Sequence, residues 1–131
     1  MEYQPHTFSI PALDGLSQKS IDEHIGLYNA YVKNFNATTA LAGELMKDKE
    51  KNTLAIAELM RRRSFEFGGM RLHELYFSQF EGGSTALAAS GTLSTALAAQ
   101  YGNIDFCIAE VRQVAMMRGP GWSLLDRKSV V

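Results

Sequence analysis

Two long stretches of helical apolar periodicity flank one short run in which every residue is charged or polar, and this pattern restricts the fold more than any other feature. The run is KDKEKN, residues 47–52. Before it, Ile21, His24, Tyr28, Tyr31 and Phe35 recur at spacings of 3, 4, 3 and 4, the signature of one buried helix face. Ser17 offers an N-cap for that helix, which is expected to run to about Met46. After the run, Ile56, Leu59, Met60, Phe67, Met70, His73, Phe77 and Phe80 predict a second helix over 53–80. A solvated turn between two amphipathic helices predicts an antiparallel hairpin. The residues before it, 1–15, contain Pro5, Pro11 and Gly15 and are expected to form an extended arm.

Each stripe carries an imidazole where a leucine would suffice. In an antiparallel hairpin, residues equidistant from the turn lie side by side. The midpoint of 24 and 73 is 48.5, inside the turn, so both rings are expected at one height. Gly68 and Gly69, one turn before His73, leave room for a close approach or a bound group. Two readings are open. A histidine on an apolar face can be a hydrogen-bonded core residue. Two at matching heights can share a metal, since neutral imidazole suits zinc, copper, iron and nickel. Two ligands do not close a site, and HELYF lacks the second histidine of the zinc-protease motif, because Phe77 occupies that place.

Beyond Gly82-Gly83-Ser84 the composition shifts to Ala, Ser, Thr and Leu, and STALAA occurs at 84–89 and again at 94–99. A period of ten does not match the helical turn, and two copies do not make a solenoid. Helices are expected near 92–101 and over 104–117, the latter with Ile108, Val111 and Ala115 inward. RGPGW, 118–122, is a turn; Trp122–Leu125 reads as a strand and Asp126-Arg127-Lys128 as a hairpin turn. The expected fold is therefore mainly α: a long antiparallel hairpin, then a truncated α/β portion of helices and one or two short strands. Residues 1–82 form one expected domain and 83–131 a partial second one.

Composition narrows the function. A net charge of −1 supplies no basic field for nucleic acid. No stretch reaches the roughly 20 apolar residues of a membrane span. One cysteine, Cys107, allows no internal disulfide, and the N-terminus has no basic start followed by an apolar run; a cytoplasmic location is expected. Arg61-Arg62-Arg63 reads as a solvated helix face and Cys107 as a buried thiol.

SIDEHIGLYNAYVKNFN, FGGMRLHELYF with the GG at 82–83, and YGNIDFCIAEVRQVAMMRGPGW occur in that order. Together they resemble the iron/manganese superoxide dismutase family. The resemblance implies iron or manganese bound by His24 and His73, Tyr31 at the substrate channel, Trp122 lining the cavity, and superoxide as substrate. It also implies a homodimer, or pairing with a chain that supplies the missing sheet. The chain departs from the family pattern at several points. The interval from His24 to Tyr31 is one residue short, so Tyr28 is an alternative for the tyrosine's role. Arg71 replaces the tryptophan that usually stands two before the second histidine, and Gly69 stands where some members carry glutamine. The family's Asp-x-Trp-x-x-His motif, source of the other two ligands, is missing, and Asp126 does not replace it. Weak metal binding by the chain alone is expected. Three origins are compatible with this: a fragment ending at Val131, which the halt in mid-sheet favours; half of a split enzyme; or a degenerate relative. The rival function is a non-catalytic helical oligomerisation or interaction module with buried structural histidines.

Overall fold

The computed structural model describes residues 2–126 and divides into two compact units, Met1–Ser84 and Thr85–Val131. Helix α1 is Gln18–Leu45 and α2 is Thr53–Ser78; a three-residue 3₁₀ turn, Met46–Asp48, follows α1 directly. Ser17 caps α1 as its residue type suggests, its Oγ accepting from the Ser20 amide at 3.1 Å. The charged turn works through Asn52. Its side-chain amide donates to the carbonyls of Leu45 at 3.2 Å and Asp48 at 2.9 Å. Carbonyls left over at a helix end are thereby satisfied within the turn that starts the next helix.

The stripes meet as the periodicity requires. Tyr28, Val32, Met70 and Phe77 form the buried centre of the first unit, with Tyr3, Phe8, Ile10, Ile25, Tyr31, Phe35, Tyr76 and Phe80 packed around it. The arm is extended along this hairpin, ending in a turn that pairs Leu13 with Leu16 around Gly15 at φ 79°. Asn36 clasps its start: Tyr3 N donates to Asn36 Oδ1 at 2.9 Å, and Asn36 Nδ2 donates to Tyr3 O at 2.8 Å. Further along, Ser9 N donates to Glu81 Oε1 at 3.0 Å.

Of the arginine run, Arg61 pairs with Glu58 on the surface, but Arg62 reaches Glu66, whose side chain is 1% exposed. Glu66 Oε1 accepts from Arg62 Nε at 2.6 Å, while the buried Oε2 has no hydrogen-bond partner among the described residues. A half-satisfied buried carboxylate costs more than an apolar side chain of similar size. Glu66→Met is therefore expected to stabilise the chain by about 1 kcal/mol, seen as a higher urea midpoint with an unchanged slope.

In the second unit, α3 is Thr92–Tyr101 and α4 is Ile104–Ala115, and the two pack together. Asn103 caps α4, its Oδ1 accepting from the Phe106 amide at 2.9 Å. Cys107 is buried, as expected of it, but it also corrects the expected inner face of α4: Ile108 is 43% exposed and Ala115 is exposed. The stripe Ile104, Cys107, Val111 is as helical and as apolar as the expected one, and it is the less exposed of the two. Trp122–Leu125 lies in a segment without helix, yet it forms no strand among the described residues. A strand exists only through a backbone ladder with a neighbouring strand. The expected hairpin turn at 126–128 falls largely outside the described residues. No helix among them is long and apolar enough to cross a membrane.

Candidate metal centre

The hairpin brings His24 of α1 and His73 of α2 together. Their ring centroids are 4.8 Å apart and the planes meet at 79°. Two imidazoles sharing one ion at about 2.1 Å place their ring centres roughly 4.5–5.5 Å apart, so the spacing suits a common ligand atom. Their surroundings are aromatic: Tyr76 and Phe77 lie 5.0 and 5.1 Å from the His24 ring.

His73 is 5% exposed, and its Nδ1 is 2.7 Å from the Gly69 carbonyl one turn earlier. A carbonyl can only accept, so Nδ1 carries the hydrogen, and the neutral ring keeps its lone pair on Nε2. A backbone partner for one ring nitrogen is the usual device for orienting a ligating imidazole through the other. Burial lowers the basicity of His24 below the ordinary imidazole value, and the charge of a protonated His73 lowers it further. Burial thus favours, at His24, the neutral form that binds metals.

The lowered His24 pKa has a sign that can be measured. The unfolded chain takes up the proton more readily than the folded one. Its stabilising contribution is complete above the ordinary value of 6.5 and declines as pH falls through that value toward the folded one. Urea midpoints without metal at about pH 7.5 and about pH 5.5 are expected to differ accordingly, with His24→Gln narrowing the gap.

The two tyrosines diverge. Tyr31 is half-buried, its ring 5.1 Å from His73 and 6.0 Å from Phe65. It lies over Gly69 so closely that a Cβ there would stand 2.3 Å from its Cε1. Tyr28 is fully buried, its ring 6.5 Å from His73, with its hydroxyl committed elsewhere: Oη donates to Glu74 Oε1 at 3.0 Å and accepts from the His6 amide at 2.8 Å. Burial pushes its pKa up to about 12, against the lowering effect of the His6 amide. Trp122 belongs to the second unit, half-buried beside Ser123, whose Oγ donates to Val111 O at 3.2 Å.

Glu74 was not singled out by the sequence. It is 4% exposed and adjacent to His73, and its carboxylate joins Tyr3, Tyr28 and Arg71. Its only sequence signal is its position directly after His73; nothing local marks it as buried. The donor chemistry fits a metal as a pair of ligands and no further. No group of three or more His, Cys, Asp or Glu that could hold an ion occurs among the described residues.

Two curated proteins are similar to this chain, the iron superoxide dismutases of Aquifex pyrophilus and of Aquifex aeolicus (strain VF5). Each is 30% identical over an alignment of 118 positions that covers 86% of this chain and 54% of the relative. The chain spans about half the length of these relatives. No family model matches it, and neither does any solved structure.

Proposed function

We propose that this chain is the ligand-bearing helical part of a superoxide dismutase of the iron/manganese family. In this reading residues 1–82 are the arm and hairpin, and 83–131 begin the α/β domain. The observation that carries it is the perpendicular imidazole pair with ring centres 4.8 Å apart, in a chain whose similarity to two iron superoxide dismutases runs through both helices.

His24 and His73 would hold iron or manganese, which when bound supplies the one-electron chemistry that turns two superoxide anions into oxygen and hydrogen peroxide. The chain's own residues shape that site. Gly69 O keeps the His73 proton on Nδ1. The aromatic wall of Tyr76 and Phe77 limits water beside His24. Tyr31, not Tyr28, is the channel tyrosine in this reading, because the Tyr28 hydroxyl is already held by Glu74 and His6. A carboxylate and a third imidazole would come from polypeptide outside these residues or from a partner chain, in a dimer or a complemented pair.

Titration of the chain with cobalt(II), a spectroscopic stand-in for iron and manganese, tests the ligand pair. The expected result is weak binding of one ion per chain, lost on dialysis and abolished by His24→Ala or His73→Ala. Binding that ignores both substitutions sinks the assignment. Binding of iron or manganese that survives dialysis, at one per chain, would show that two ligands were an undercount.

A further inference from the structure

A carboxylate that is 4% exposed, held by donors from three separate segments, sits beside the histidine pair without belonging to it. Glu74 Oε1 accepts from Tyr3 Oη of the arm at 2.7 Å and from Tyr28 Oη of α1 at 3.0 Å, and Oε2 pairs with Arg71 of α2. Tyr28 stands one turn after His24; Glu74 follows His73 directly. The same carboxylate thus ties the two helices together at the level of the two imidazoles, and ties the arm to both.

Stability alone does not explain such a group. Well-packed apolar side chains serve a core as well as a buried ion pair does, or better. What the network adds is angular definition. A side chain reaching about 6 Å from its helix axis moves by roughly 1 Å for a 10° turn of the helix. Metal–ligand distances tolerate only about 0.2 Å. Apolar contacts between helices define rotation loosely, whereas hydrogen bonds of 2.7 and 3.0 Å to one carboxylate define it closely.

We propose that Glu74 is a positioning residue for the metal site, fixing the rotation of α1 against α2, through Tyr28 and Tyr3, so that the His24 and His73 rings address one ion. The inference rests on the reading of those histidines as ligands.

The full chain with cobalt(II) as probe tests it. Glu74→Gln keeps the side chain's shape and removes its charge. It is expected to weaken cobalt affinity by about tenfold and to shift the visible cobalt bands, which report ligand angles. Ile56→Val, a small cut in the same hairpin outside the network, is the control: it lowers stability and leaves affinity and bands unchanged. Should Glu74→Gln fail to fold, Tyr28→Phe removes one hydroxyl and keeps the ring, and is expected to shift the bands in the same direction. Unaltered affinity and bands in the folded variants would overturn the positioning role while leaving the ligand pair standing. Absence of histidine-dependent cobalt binding in the unsubstituted chain would instead overturn the ligand reading, and this inference with it.

Discussion

Replacing Gly69 with alanine is expected to destabilise the chain by about 1–3 kcal/mol, whereas the same change at Gly68 is expected to stabilise it by roughly 0.5–1 kcal/mol. Both glycines lie inside α2, where alanine is normally the better helix former. The space beside them differs. A Cβ at Gly68 meets nothing within 4 Å. A Cβ at Gly69 would stand 2.3, 2.4 and 2.8 Å from the Cε1, Cδ1 and Cζ atoms of Tyr31. Those atoms belong to a rigid ring, so the whole phenol must swing out and give up its contacts with His73 and Phe65. Urea denaturation of the two variants gives opposite signs if the ring sits where described. Equal stabilisation by both would show that Tyr31 does not cross α2 at this point. In the cobalt titration, Gly69→Ala should also differ from Gly68→Ala, because only the former displaces the ring beside His73.

Phe77→Ala is expected to cost about 3–5 kcal/mol, a large part of the roughly 5–15 kcal/mol that holds a typical domain together. Phe77 is 1% exposed, and its ring lies between 5.1 and 6.4 Å from those of Phe8, His24, Tyr28, His73 and Tyr76. Removing it opens a cavity bordered by both imidazoles and by the arm. The loss should therefore be double: a lower urea midpoint, and merged or broadened imidazole resonances for His24 and His73. Phe77→Leu, which refills most of the volume, is expected to recover all but about 1–1.5 kcal/mol. A chain that tolerated the alanine without loss would place its core elsewhere.

The meeting of His24 and His73 was legible because it depends on three local signals: two periodic stripes, and a turn whose midpoint sets the register. Such information is written within a few residues and needs no knowledge of the rest of the fold. The room beside Gly69 was legible in part. A glycine one turn before His73 announces a close approach, though not that Tyr31 is the group approaching. The buried carboxylates were not legible at all. Nothing local marks Glu66 or Glu74 as buried, and one group that covers Glu74 is the arm's Tyr3, 71 residues away in sequence. The inner face of α4 was misread because two adjacent apolar stripes satisfy the same helical period, and only packing chooses between them. Trp122–Leu125 reads as a strand on residue type, yet residue type cannot supply the neighbour that makes one.

The arm's anchors also order events in time. The turn at 47–52 lets α1 and α2 find each other locally, by short loop closure. Tyr3 and Ser9, by contrast, are anchored to Glu74 and Glu81, across separations of 71 and 72 residues. During synthesis the arm leaves the ribosome before α2 and is thus among the last parts of this unit to dock. Until α2 has emerged, Tyr3 and Phe8 have no complete hairpin to cover, and their rings stay in water.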